Sequence, residues 1–394
     1  MLRRLAPIIV TVLVTLTPTP AFASWTTPVV LDGAGGANGR VDAQIGADTA
    51  AVRFGGVRHV FYSEYVNGRY LLRHATLAAP RSFETLDGAG GTSGRTTHDV
   101  GSDVSAAVFG GLLHVFYRDD TGGNLRHAWF DGSSWRFQTL DGASTTGGRV
   151  HSDVGRRSVT AVFGGTLFVA YLDVAKADVR LARSDGSGWS FSTIDGNSTA
   201  AGHTTHEVGY NLDAKIWSGA LHILYYERDP AYGEKLGWVR EARFDGAAWT
   251  YTRDFRVNTI VLGKTLAVGV VADSRVYVAY NTTLQADPRL RWRVWDGASW
   301  SDSSLLEEIL FGDVGASALF VVVSGVPTLV FSDVFNGSID FFTWSGGDVT
   351  SRSIYGYSGY PTSATKAGAA TFRVFLGGGS TPTDFDVLLS TTGP

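Results

Sequence analysis

Four loops of constant length carry the side chains best suited to chemistry. Each follows a Leu/Ile-Asp-Gly triplet, with its aspartate at Asp32, Asp87, Asp141 or Asp195, and ends in Gly39-Arg40, Gly94-Arg95, Gly148-Arg149 or Gly202-His203. Four residues past that Arg or His stand Gln44, Asp99, Asp153 and Glu207, and His98, His151 and His206 lie just before them. Arg offers planar paired donors, imidazole donates or accepts, and carboxylate accepts, so these groups could line a polar cup for acidic sugars or sugar hydroxyls. The same residues also admit a constructional reading. Each Arg would then bond loop carbonyls or a carboxylate across a structural junction, as buried polar groups require. A residue repeated in every loop argues for construction, and a ligand site should break the repeat somewhere.

Other chemistries fit less well. His203-Thr204-Thr205-His206-Glu207 is rich in ligands but lacks the helical His-Glu-x-x-His order of a zinc protease. Asp99, Asp153 and Glu207, with Asp313 from a later copy, supply hard oxygens that could seat Ca²⁺, although no metal or other cofactor is expected to be required. Gly263-Lys264-Thr265 looks like the end of a phosphate loop, but Asn258 occupies the position of its first glycine. No Gly-x-Ser-x-Gly nucleophile turn occurs. Residue types suited to a glycosidase or a polysaccharide lyase are present without an assignable constellation.

The elements that position these loops are legible because the loops repeat. The four Leu/Ile-Asp-Gly aspartates are spaced by 55, 54 and 54 residues, and the small pairs Gly55-Gly56, Gly110-Gly111, Gly164-Gly165 and Ser218-Gly219 keep the same step. A third marker, Asp-Gly-x-x-Trp, ends at Trp135, Trp189, Trp249 and Trp300. A period near 50 residues built from several short strands predicts the blades of a β-propeller. In the second copy, 103–109 is small-residue rich, as an inner strand needs. Residues 112–119 form the apolar central strand, and 125–130 with 134–140 form an outer hairpin turned at Asp131-Gly132.

The tryptophans are expected to pack between neighbouring blades. Arg73, Arg126, Arg180, Arg240 and Arg291 are expected to form cross-strand ion pairs with the strand-end acids Glu64, Asp119, Asp173 and Glu227. Tyr62, Tyr117, Tyr171 and Tyr225 should pack or cap the core. Counting central strands at 57–64, 112–119, 166–173, 221–227, 275–281, 326–333 and 371–376 predicts seven four-stranded blades in one all-β domain, 24–394. The last copy lacks its fourth strand. Ser24-Trp25 followed by Leu31-Asp32-Gly33 matches that strand, so the N-terminal strand should close the last blade.

With this blade pattern the chain resembles secreted β-propeller lectins and the neighbouring sialidase-like propellers. The turn Ser184-Asp185-Gly186-Ser187-Gly188-Trp189 is similar to the sialidase turn Ser/Thr-x-Asp-x-Gly-x-Thr-Trp, but its Asp and Gly are adjacent. Fucose-binding propeller lectins are similar in placing Arg, an acid and aromatics between blades. The resemblance implies glycan or polysaccharide partners and a lectin-like function without catalysis. The alternatives are an extracellular carbohydrate-active enzyme, sialidase-like or a polysaccharide lyase, and a protein-interaction platform. Longer connections at 229–237 and 281–288 depart from the repeat and make Tyr232, Glu234 and Lys235 further candidates.

The first 23 residues read as an export signal. Arg3-Arg4, an apolar run over 5–16 and Ala21-Phe22-Ala23 predict cleavage after Ala23 and a secreted protein. No apolar run reaches the ~20 residues of a membrane span. The chain has no cysteine, so burial and sheet closure must replace disulfides. Its formal charge of −4 argues against nucleic acid, which needs a basic patch.

Overall fold

In the computed structural model the described residues are 24–25, 29–33, 38–228, 236–258, 266–272, 275–284, 287–302, 304–305, 314–323, 326–333, 337–345, 348–355, 360–368, 371–377 and 387–392. The expected export signal, 1–23, lies outside them, as do Asp313, Tyr232, Glu234 and Lys235.

Among the described residues the strands form seven antiparallel sheets, six of them meanders of consecutive strands and the seventh joining strands from both ends of the chain. The second sheet shows the plan: Val100–Phe109, Leu112–Asp119, Asn124–Phe130 and Trp135–Asp141. Its central strand is buried along almost its whole length, because both faces of the sheet are covered by neighbours. The inner strands Gln44–Phe54, Val100–Phe109, Val154–Phe163, Glu207–Trp217, Leu266–Ala272, Val314–Val323 and Tyr360–Gly368 each lie against the next, and Tyr360–Gly368 lies against Gln44–Phe54. Ser24–Trp25 and Val29–Val30 both pair antiparallel with Val387–Thr392, joining the two ends of the described chain in one sheet.

Chain direction defines two rims. The loops that follow Leu/Ile-Asp-Gly share one rim with the central-to-third-strand turns; this is the loop rim. The Gly-Gly pairs and the Asp-Gly-x-x-Trp turns share the other, the turn rim. Glycine is required on the loop rim where chains meet. At Gly101 (φ +103°) a Cβ would stand 3.0 Å from the Leu72 Cα of the preceding sheet, so no side chain fits. On the turn rim Asp131 Oδ1 accepts the Ser133 and Ser134 amides, each at 2.8 Å, and the hydrogen bonds from Ser133 and Ser134 hold its carboxyl below the usual range.

The four tryptophans pack against the preceding sheet. Trp135 meets Phe61 at 5.8 Å, Trp189 meets Phe116 at 5.7 Å, Trp249 meets Phe168 at 6.5 Å and Trp300 meets Phe255 at 5.3 Å, all edge to face. Each such pair contributes about 0.5–1.5 kcal/mol beyond its burial.

Next to these tryptophans run buried polar rows. In the first sheet His59 Nδ1 lies 2.9 Å from His74 Nε2, and His74 Nδ1 lies 2.8 Å from Glu84 Oε1. The second sheet repeats this with His114, His127 and Gln138, at 2.9 and 3.0 Å. In the fourth, His222 meets Glu241. The third sheet has Phe168 and Leu181 at these positions and carries no such row.

Candidate functional site

The aspartate of Leu/Ile-Asp-Gly ties one sheet to the next. Asp87 ends the first sheet and is buried; its Oδ1 accepts the Gly88 and Thr96 amides at 2.9 and 2.7 Å. Its Oδ2 accepts Tyr117 Oη at 2.6 Å and Arg126 Nε at 3.0 Å, both from the second sheet. Arg126 Nη2 then donates to the Gly94 carbonyl at 2.6 Å, and Nη1 to Thr139. Asp32 with Tyr62 and Arg73, Asp141 with Tyr171 and Arg180, and Asp195 with Tyr225 and Arg240 repeat the clamp. Burial first, then the Asp87 charge, pushes the Tyr117 hydroxyl far above its ordinary pKa, so it stays a donor.

This clamp corrects the expected cross-strand ion pairs of Arg126 with Asp119 and of Arg180 with Asp173. The register sets Arg126 opposite Tyr117 and Asn124 opposite Asp119, so the arginine reaches back to the preceding sheet's aspartate. The longer acids Glu64 and Glu227 do form the expected ion pairs, with Arg73 and Arg240, each at 3.6 Å.

The predicted arginines divide. Arg95 and Arg149 donate Nε to the Leu86 and Leu140 carbonyls at 2.8 Å, and both lie 4.6 Å above the rings of Phe137 and Phe191, which suits the constructional reading. Arg40 is half-buried, and its Nε has no partner among the described residues. His203 sits edge-on to Tyr251 at 4.9 Å, with Nδ1 buried and unpartnered among the described residues.

The acids also take separate partners. Asp99 accepts the Tyr70 amide at 2.8 Å, Asp153 accepts Arg118 Nη2 at 2.6 Å, and Glu207 pairs with Arg228. Among the described residues no group of three or more His, Asp or Glu is arranged to hold a metal ion. His151 is exposed and stands one place ahead of His98 and His206 in the repeat; Ser152 takes their position and donates to Asp173 at 2.8 Å.

Two of the predicted imidazoles are held by buried carboxylates. His98 Nδ1 lies 2.7 Å from Asp119 Oδ2, and His206 Nδ1 lies 2.8 Å from Glu227 Oε1. With Nδ1 spent on the carboxylate, Nε2 is each ring's remaining polar atom. Glu227, fully buried, also accepts Thr204 Oγ1 at 2.8 Å and Arg253 Nε at 2.9 Å. Burial opposes its ionisation, but the bonds from Arg253 and Thr204 outweigh this and hold its carboxyl below the usual range.

Arg253 and Trp238 are the departures that pattern reading missed. Arg253 stands where the first three sheets have Thr85, Thr139 and Thr193, each bonded by the clamp arginine. Its side chain is 40% exposed and lies 5.5 Å over the Trp238 ring. Trp238 pairs with Glu227 in register, where the preceding sheets place Leu71, Asn124 and Asp178. The fourth sheet therefore brings an imidazole, a guanidinium and an indole together at the loop rim. Superimposing the outer strands of the four copies would have shown the Thr-to-Arg change.

The third sheet departs differently. Asp173 and Asp178 face each other across its central hairpin, and Asp178 Oδ1 is buried without a partner among the described residues. Burial first, and then the Asp173 charge, pushes the Asp178 carboxyl up to about 6. A raised carboxyl contributes stability below its unfolded value near 3.8 and loses it as pH rises to about 6. Asp178→Asn, which copies Asn124 of the second sheet, should therefore stabilise the fold by about 1–3 kcal/mol at pH 8 and by almost nothing at pH 4. Urea denaturation at the two pH values checks this, and an equal effect at both would contradict it.

No family model matches the chain, and no curated protein matches it in sequence. Among solved structures it is similar to an ulvan lyase of a new polysaccharide lyase family, at 10% identity over 89% of this chain and 94% of that chain, with a TM-score of 0.56. It is similar to a second polysaccharide lyase at 12% identity over 90% of each chain, with a TM-score of 0.51. A lectin in complex with α-methyl fucoside matches at 15% identity over 81% of this chain and 98% of that one, with a TM-score of 0.48. Such identities speak to the fold alone. It is an all-β, propeller-type fold of antiparallel sheets.

Proposed function

We propose that the chain is a secreted seven-bladed β-propeller, closed by its N-terminal strand, that binds carbohydrate without turning it over. The observation that carries this reading is the break in the repeat at the fourth sheet, where His206, Arg253 and Trp238 gather over the buried Glu227. An indole face covers the apolar face of a pyranose ring, while a guanidinium and an imidazole bond its hydroxyls. Glu227 is saturated with donors and held ionised, so it orients these groups and has no proton to give. A glycosidase would need a second carboxylate across the scissile bond, about 5–9.5 Å away. Two solved structures that share the fold with a TM-score above 0.5 are polysaccharide lyases, which supports the ligand class. No helix among the described residues is long and apolar enough to cross a membrane.

A second reading is favoured by one observation. An imidazole whose Nδ1 rests on a buried carboxylate is the arrangement of a general base, and Arg253 beside it could neutralise a uronate carboxylate, as β-elimination of an acidic polysaccharide requires. Binding and catalysis share these residues but differ in products.

Titration of a glycan-array hit into wild type, Arg253→Ala and Arg136→Ala tests the placement. Arg136 is exposed on the outer strand of the second sheet and serves as control. Arg253→Ala should weaken binding at least tenfold and Arg136→Ala should leave it unchanged. Equal affinities for all three would remove the fourth-sheet rim from the account.

A further inference from the structure

The fourth sheet is also where the Leu/Ile-Asp-Gly marker fails. Phe255 faces Val239 in register, at the place that Asp87, Asp141 and Asp195 hold opposite Leu72, Leu125 and Val179. Arg256 therefore stands where the three preceding sheets have Gly88, Gly142 and Gly196. Those glycines turn the chain away at φ +96°, +107° and +100°, and a Cβ on them would stand 3.2, 2.9 and 3.0 Å from the Cα atoms of Leu71, Asn124 and Asp178. An arginine fits in the fourth sheet because its outer strand does not turn there. The strand runs on to Asn258, pairing Trp238 with Arg256 and Leu236 with Asn258. Phe255 packs on Tyr280 of the fifth sheet at 5.1 Å in place of the clamp.

Register also fixes which side chains share a face, since residues directly opposite on antiparallel strands project to the same side. Glu227, Trp238 and Arg256 thus form one row and Tyr225, Arg240 and Arg253 the next, on the face turned toward the third sheet and His206. Such rows lie about 7 Å apart, a span that two arginine side chains can close over one oxyanion. Trp238 sets the direction of the first guanidinium, because Arg253 lies 5.5 Å over its ring. Arg256 is exposed in the neighbouring row.

Charge then points to the ligand. Glu227 is saturated: Oε1 takes Thr204 Oγ1 and His206 Nδ1 at 2.8 Å each, Oε2 takes Arg253 Nε at 2.9 Å, and Arg240 Nη1 lies 3.6 Å from it. Asp195 is held by Tyr225 and Arg240. Asp254 adds little charge at pH 7, because burial first, and then the Glu241 charge, push its carboxyl up to about 8. Arg240, Arg253 and Arg256 therefore stand against Asp195 and Glu227, and among these groups the excess is positive. With the loop rim as the carbohydrate site, a reading on which this one rests, we infer that Arg256 determines its specificity: with Arg253 it binds an oxyanion carried by the sugar, a uronate carboxylate or a sulfate ester, so that the ligand is an acidic glycan.

Calorimetric titration with two matched pairs tests this: an α-1,4-linked galacturonate trimer against its methyl ester, and a sulfated galactan oligosaccharide against the same chain desulfated. Wild type should bind the charged member of at least one pair about tenfold more tightly than its neutral partner, and the pair that discriminates identifies the oxyanion. Added salt should narrow the gap. Arg256→Gln keeps the extended strand and removes the charge, so affinity for the charged member should fall about tenfold and the preference should vanish. A preference that survives in Arg256→Gln, or equal affinity for both members of both pairs in wild type, would overturn the assignment. In either case a neutral member that Arg253→Ala still weakens would leave the loop-rim site standing, whereas affinities that Arg253→Ala does not change would remove that site too. Failure of all four probes to bind would overturn the assignment as well.

Discussion

Replacing Asp141 with alanine should cost about 3–5 kcal/mol of folding stability, the loss expected when one partner of a buried ion pair is removed. Asp141 is 1% exposed and takes four hydrogen bonds: the Gly142 and Val150 amides at 2.9 and 2.8 Å, Tyr171 Oη at 2.6 Å and Arg180 Nε at 3.0 Å. Its removal strands a guanidinium, a hydroxyl and two amides at the junction of the second and third sheets, where water does not reach. Tyr171→Phe deletes a single bond and should cost only about 1–2 kcal/mol. Urea unfolding of both variants measures the difference. A loss below about 1 kcal/mol for Asp141→Ala would mean that the clamp does not join the sheets.

Acid should destabilise the protein well before its carboxylates protonate. Burial, and then the neighbouring His74 charge, lowers His59 to about 4 from an ordinary value of 6.5. His114 and His127 shift the same way, chiefly through burial. A histidine depressed in the folded state contributes its stability in full above pH 6.5, where both states are neutral, and loses it as pH falls toward 4 and the unfolded chain takes up the proton. For His59 alone the loss is about 3 kcal/mol across that window. His59→Phe, which copies Phe168 of the third sheet, should flatten this limb of the stability curve. Identical pH dependence in wild type and variant between pH 7 and 4.5 would contradict it.

The repeat was open to reading because blade construction relies on residues that recur. Leu/Ile-Asp-Gly, the Gly-Gly pairs and Asp-Gly-x-x-Trp each answer one local need, namely a clamp, a tight turn and a tryptophan wedge. The partners of the clamp were not legible, since a strand carries no mark of its register. Arg126 and Asp119 sit near one hairpin in sequence, yet Arg126 faces Tyr117 and reaches Asp87, 39 residues earlier. The candidate site was legible by half. His98 and His206 stood out by residue type, and so did Arg95 and Arg149, which the structure commits to carbonyls and phenyl rings. Arg253 and Trp238 were hidden because each is an ordinary residue for a strand, and their meaning lies in what the other copies have instead.

The most direct measurement is calorimetric titration of residues 24–394 with the best ligands of a broad glycan array, followed by product analysis of the same samples. Saturable binding is expected, weakened at least tenfold by Arg253→Ala, with the glycan recovered intact. Recovery of shortened or unsaturated products, abolished by His206→Ala, would contradict the claim of binding without turnover and make His206 a general base.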